Sequence, residues 1–123
     1  MKKILQYFVL LLMFLNINNK TFSLEDEVVL ILGYNNTRSN DVKSMRLIAK
    51  EELKASTILC KPNPLPIDFE VADHVIDVPL KPDMASVSIV KGFLESKKLK
   101  VKAILPFSDI GTQLGAILSE QLG

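Results

Sequence analysis

One cysteine and one histidine occur among 123 residues. The lone Cys60 excludes an internal disulfide framework and any multi-cysteine metal site. It closes the apolar run "STILC" and reads as a small buried hydrophobe rather than a reactive thiol. H-x-x-H, C-x-x-C and D-x-D spacings are absent, so no metal ligands are assigned. G-x-G-x-x-G and G-x-x-x-x-G-K-[ST] are absent too, which removes the direct nucleotide-binding fingerprints. G-x-S-x-G is missing, so Ser108 lacks the setting of a nucleophile and no catalytic residue is assigned. Neither sign of charge dominates: 15 basic residues stand against 14 acidic ones, a net charge of +1. Bulk electrostatics therefore offers no reason to expect a nucleic-acid partner.

What is present is ordinary for a globular chain: 48% hydrophobic and 24% charged residues. Residues 1–24 differ in kind. Two lysines precede an almost uninterrupted apolar run over residues 4–15. That run is short for a bilayer span, which needs about twenty residues. A charged start followed by an apolar stretch of this length resembles a secretory signal peptide, although Thr21-Phe22-Ser23 is a poor cleavage site. An uncleaved anchor and a plain extension ahead of the domain are the other readings. Membrane contact is expected through residues 4–15 only. The folded unit is expected over residues 25–123.

From there the pattern becomes regular. "VVLIL" is a continuous apolar, β-branched run, the signature of a strand buried on both faces. A polar loop follows, then a helix "DVKSMRLIAKEEL" with Ser39 or Asn40 as cap and Val42, Met45, Ala49 and Leu53 on its apolar face. "ASTILC" predicts the second strand. The three prolines of "KPNPLP" predict neither helix nor central strand. A short strand from His74 to Val78 comes next. Asp83 caps a helix with Val87, Val90 and Leu94 on its inner face, widened by Ile89 and Phe93. "VKAILPF" predicts the fourth strand. "IGTQLGAILSEQL" predicts the last helix, with Ile110, Leu114, Ile117, Leu118 and Leu122 aligned and Gly123 at its end.

The expected order is β-α-β-β-α-β-α. This predicts a three-layer, Rossmann-like α/β sandwich with a four-stranded, mainly parallel sheet. In open sheets of this kind ligands bind outside the carboxyl ends of the strands. Two loops then matter, "GYNNTRSND" after the first strand and "FSD" after the fourth. If their strands are neighbours, the loops flank one crevice. The candidate substrate-binding residues are Gly33, Tyr34, Asn35, Ser108 and Asp109. Asp109 can equally act as the helix cap. "NNT" over residues 35–37 is a formal glycosylation sequon. His74, between Asp73 and Asp77, reads as an edge residue or the first residue of a strand, because its neighbours along a strand point the other way.

"VVLILGYN", "VADHVIDVPL" and "VKAILPFSDIGTQLGAILSEQLG", in that order, resemble the N-terminal pre-ATP-grasp domain of ATP-grasp ligases of the biotin carboxylase and carbamoyl-phosphate synthetase type. The resemblance covers residues 27–123 and is one of pattern and order rather than a strict motif. It implies a chain ending before the ATP-grasp domain, where the family's phosphate loop, ATP-binding lysines and magnesium-binding carboxylates lie. ATP and magnesium would then serve the full-length enzyme, with neither bound by this chain alone. Gly33 to Asn35 and Ser108 with Asp109 match loops that face the family's cleft on the substrate side. The implied partner is a C-terminal ATP-grasp domain or a separate chain carrying one.

The resemblance favours the cytoplasm, whereas a working leader would mean export or anchoring. The competing function is a small exported α/β module that binds a ligand without catalysis. An exposed apolar face on the last helix and the sheet beside it is expected, with self-association as one consequence.

Overall fold

The structure is a computed structural model that describes residues 26–122. The apolar segment within residues 1–24, with the leader readings attached to it, and Gly123 lie outside the described residues. Strand β1 (Glu27–Leu32) leads into helix α1 (Ser39–Ile48) through a 3-10 turn at Asn36–Arg38. A π-turn (Ala49–Leu53) extends α1 before β2 (Ser56–Lys61). Helix α2 (Pro66–Val71), β3 (His74–Asp77), α3 (Met84–Lys97), β4 (Lys100–Pro106) and α4 (Asp109–Leu122) complete the order.

The sheet runs β3-β2-β1-β4 and every pairing is parallel. The predicted α/β sandwich therefore stands, with an entirely parallel sheet. β1 is central, and this explains its unbroken apolar run. Val28, Leu30 and Leu32 pack with Ile58 and Cys60 against α3 and α4, through Val87, Val90, Leu94, Leu114 and Leu118. Ile31 faces the other way, joining Leu59 against Val42 of α1 and Val71 of α2. Val29, also on that side, meets Ala49. Burying a side chain of this size contributes about 1.5–3 kcal/mol, so the two-sided strand is the main apolar anchor of the fold.

The observed order is β-α-β-α-β-α-β-α, one helix more than expected. The prolines before β3 do not exclude α2, because Pro66 occupies its first turn. There the fixed φ suits a helix and the missing N–H has no intrahelical role. Asp68, three residues after Leu65, accepts the Leu65 N–H at 2.6 Å and closes the start of the helix. A second difference lies at α1. It starts directly from the 3-10 turn, and its N-cap Arg38 makes no side-chain capping bond; Ser39 is already helical. At α3 the expected cap is present: Asp83 Oδ1 accepts the Ser86 N–H at 2.8 Å.

Three apolar residues expected to face inward are exposed: Leu53 in the π-turn, Ile89 on α3 and Ile110 on α4. Ile110 lies in the first turn of α4, where helical spacing alone does not say whether a neighbour covers it. β4 is an edge strand, and its Val101, Ile104 and Leu105 are only half-buried. Val101 and Ile104 pack toward α3 and α4 and Leu105 toward the opposite layer, so both faces of the sheet border solvent along this strand rather than one face beside the last helix. The edge is blunted by a register shift against β1 between Val28 and Val29, by Lys100 and Lys102, and by a terminal Pro106. Lys102 Nζ reaches back to Glu27 at 2.9 Å. Among the described residues no helix is long and apolar enough to cross a membrane.

Candidate functional site: the crevice between β1 and β4

Chain connectivity reverses across β1. The first three strands are laid down outward from β1 toward β3, and the chain then returns to add β4 on the other side of β1. The segments leaving β1 and β4 therefore diverge to opposite layers, the place where open sheets of this kind take a ligand. Leu32 pairs with Pro106 at the shared carboxyl edge, and the Phe107 N–H donates to the Leu32 carbonyl at 3.0 Å. The loops after β1 and β4 thus begin side by side.

Gly33 makes that approach possible. Its φ is +74°, a left-handed conformation that disfavours any Cβ. A Cβ there would stand 2.7 Å from both Ser108 Oγ and Leu80 Cδ1. Its N–H donates to the Cys60 carbonyl at 2.9 Å, tying the turn to the end of β2. Opposite it, the half-buried Ser108 precedes α4, and its Oγ accepts the Gly111 N–H at 3.4 Å. The cap of α4 is therefore Ser108; Asp109 is the first helical residue and is exposed. Asp109 complements the positive helix end by position rather than by capping. Asn35 is exposed and accepts from the Thr37 hydroxyl.

Arg38 bridges the two loops. Its Nη1 donates to the Phe107 carbonyl at 3.3 Å, its guanidinium lies 5.3 Å from the Phe107 ring centre, and its Nε donates to Asp41 Oδ2 at 2.9 Å. The crevice thus combines a cationic fork, the start of a 14-residue helix and polar groups of both loops. These groups suit a small polar or anionic molecule.

Tyr34 has a different place. Its side chain is packed in the core beneath α1 and α2, and its hydroxyl donates to Asp68 Oδ1. Asp68 is fully buried, and Lys61 Nζ meets its Oδ2 at 2.9 Å while lying 4.9 Å from the Tyr34 ring centre. Burial opposes ionisation of Asp68. The hydrogen bonds from Tyr34, Leu65 and Lys61, with the lysine's charge, outweigh it and hold the carboxyl below its usual range. The same burial, with the Asp68 hydrogen bond and charge, pushes the Tyr34 phenol up. Sequence reading assigned no role to Lys61 or Asp68. The detectable signal was local: a proline followed two residues later by an aspartate, the start of α2.

Of the remaining candidates, Cys60 is buried and its thiol is pushed up to about 12 by desolvation, which suits a core residue. His74 opens edge strand β3 and packs edge-on against Phe93 at 5.9 Å. Asp73 serves the fold, bonding Thr57 N–H at 2.9 Å and Arg46 at 2.9 Å. No group of His, Cys, Asp and Glu among the described residues could hold a metal ion. A groove of about 540 Å³ lies at the opposite edge, between Leu94, Lys98, Lys100 and Leu122. Its lysine tips around an apolar floor do not converge on a ligand as the paired loops do. No family model, curated protein or solved structure matches this chain.

Proposed function

We propose that this chain is a small-ligand-binding α/β domain whose site is the crevice between β1 and β4. The observation that carries the reading is the adjacency of two parallel strands whose exit loops touch, Gly33 against Ser108 and Arg38 against Phe107. The chemistry is binding rather than turnover. Ser108 Oγ faces a backbone N–H, and the lone histidine sits on the far edge strand. Arg38, Asn35 and the start of α4 favour a small carboxylate or similar anion.

The finer form of the reading is the substrate-side domain of an ATP-grasp ligase. Its support is the resemblance of three sequence segments in order. In that form the ligand is the molecule to be carboxylated or ligated. ATP and magnesium belong to another domain or a separate chain, whose acyl-phosphate chemistry this chain alone does not perform.

Amide chemical shifts of the full chain, titrated with acetate, bicarbonate, glycine and inorganic phosphate, test the reading. Saturable shifts are expected at Gly33, Asn35, Ser108 and Asp109, with Lys98 and Leu99 unmoved. Shifts confined to Lys98 and Leu99, or none with any probe at millimolar concentration, would overturn the crevice assignment. Magnesium–ATP added alone is expected to leave all these amides in place. Saturable movement with it would refute the substrate-side form and indicate a nucleotide site instead.

A further inference from the structure

We infer that the amino edge of the sheet beside β4 is a docking surface for an anionic phospholipid bilayer. Helix α3 ends there, β4 begins there, and the end of α4 completes the groove. Leu99, Val101 and Leu122, all partly exposed, make its floor. Lys91, Lys98 and Lys100 stand around them, against the single carboxylate of Glu95. None of these three lysines forms an ion pair with a described residue. The local sequence explains the excess: residues 91–102 hold five lysines and one glutamate, a charge of +4 in a chain whose total is +1. Tips that spread around a floor rather than converge suit an extended charged plane more than a discrete molecule. Lysine stems lie along apolar side chains while their ammonium groups reach lipid phosphates.

A second observation gives the surface its partner. The folded unit is entered at this same edge: the Lys100 N–H donates to the Asp26 carbonyl at 2.8 Å, and Glu27 and Val28 pair with Lys100 and Val101. The apolar run over residues 4–15 is joined to Asp26 by ten residues, a tether of at most about 36 Å. A bilayer that takes up that run is therefore held within reach of the lysine groove. Neither element suffices alone. The run is short for a span, and a single weak anchor needs a basic patch beside it for stable attachment. Tethering supplies the effective concentration at which the patch contributes. Because the strands are parallel, the crevice at their carboxyl ends lies at the other end of the sheet and faces away from the bilayer. The inference does not depend on what that crevice binds.

Co-sedimentation of the full chain with vesicles tests it, using pure phosphatidylcholine and an equal mixture of phosphatidylcholine with phosphatidylglycerol at low salt. The wild type is expected to bind the anionic vesicles about tenfold more tightly or better, and salt should erase the difference. Lys98 and Lys100 are exposed and unpaired, so K98Q/K100Q keeps the fold. It is expected to lose about 25-fold on anionic vesicles, about fivefold per lysine, and nothing on neutral ones. K98R/K100R should bind as the wild type does. K43Q/K81Q, which removes the same charge from other exposed positions, should stay near the wild type. Anionic vesicles should slow amine acylation at Lys98 and Lys100 and not at Lys43 or Lys81. Three outcomes would overturn the inference: equal wild-type affinity for both vesicles, equal losses in K98Q/K100Q and K43Q/K81Q, or equal protection of all four lysines. The first would assign attachment to the apolar run alone. Slower acylation of Lys98 and Lys100 with rising protein concentration and no vesicles would assign the surface to a second copy instead.

Discussion

Replacing Gly111 with alanine tests how closely α4 approaches the end of β1. A methyl at that position would stand 2.6 Å from the Leu32 carbonyl oxygen and 3.0 Å from Leu32 Cβ. Carbon–oxygen contacts normally settle at about 3.3–3.6 Å. The carbonyl cannot turn aside, because it belongs to the central strand and accepts the Phe107 N–H. The first turn of α4 must therefore withdraw. Two effects compete. Alanine is favoured over glycine inside a helix by about 1 kcal/mol. Overpacking costs about 1–3 kcal/mol, and a clash with fixed backbone belongs at the upper end. The net expectation is about 2 kcal/mol of destabilisation, a fall in Tm of about 8–16 °C for a domain of this size. Gly92 on α3 is the matched control. A Cβ there meets nothing within 4 Å, so Gly92→Ala should raise Tm by about 4–8 °C through propensity alone. Thermal melts and urea unfolding of both variants measure the difference. If Gly111→Ala melts at or above the wild type, the close packing of α4 on β1 is wrong.

Asp68→Asn should destabilise by about 3 kcal/mol, the lower end for a broken buried pair, because Lys61 is 8% exposed and can reach water; urea denaturation reads this, and a loss under 1 kcal/mol would show that the pair is not buried as described. The folded Asp68 carboxyl lies below its ordinary value of 3.8, so its stabilising contribution is complete above that pH and is lost as pH falls through the folded value. Unfolding free energy followed below pH 4 should therefore drop more steeply in the wild type than in Asp68→Asn, and equal slopes would contradict the assignment. Cys60 should resist a thiol reagent at pH 8 in the native protein and react fully in urea, since its buried thiol is pushed up to about 12; rapid native labelling would place it at the surface.

Much of the architecture was written locally. The run over residues 28–32 is apolar at successive positions because both faces of the strand are covered. Asp83 announces α3 because a cap acts on its own next turn. The loops beginning at Gly33 and ending at Ser108 were identifiable because each terminates a strand and precedes a helix. Helix α2 was hidden because prolines were read only as breakers, although one of them sits in the turn that tolerates it. The exposure of Ile89 and Ile110 was equally hidden, since helical spacing aligns side chains without saying how far a neighbouring layer extends.

What the chain determined by itself was its alternation of extended and helical segments, because propensity, capping and hydrophobic periodicity act over a few residues. Tertiary structure alone decided that β4 returns beside β1, which converts two distant loops into the rims of one crevice. It also decided that Tyr34, Lys61 and Asp68 share one buried site. Along the chain these are a loop aromatic and two charges, each compatible with a solvated surface. Their interaction depends on low dielectric and on contact across 34 residues of separation, and neither exists until the sheet has assembled and α2 has closed over its edge.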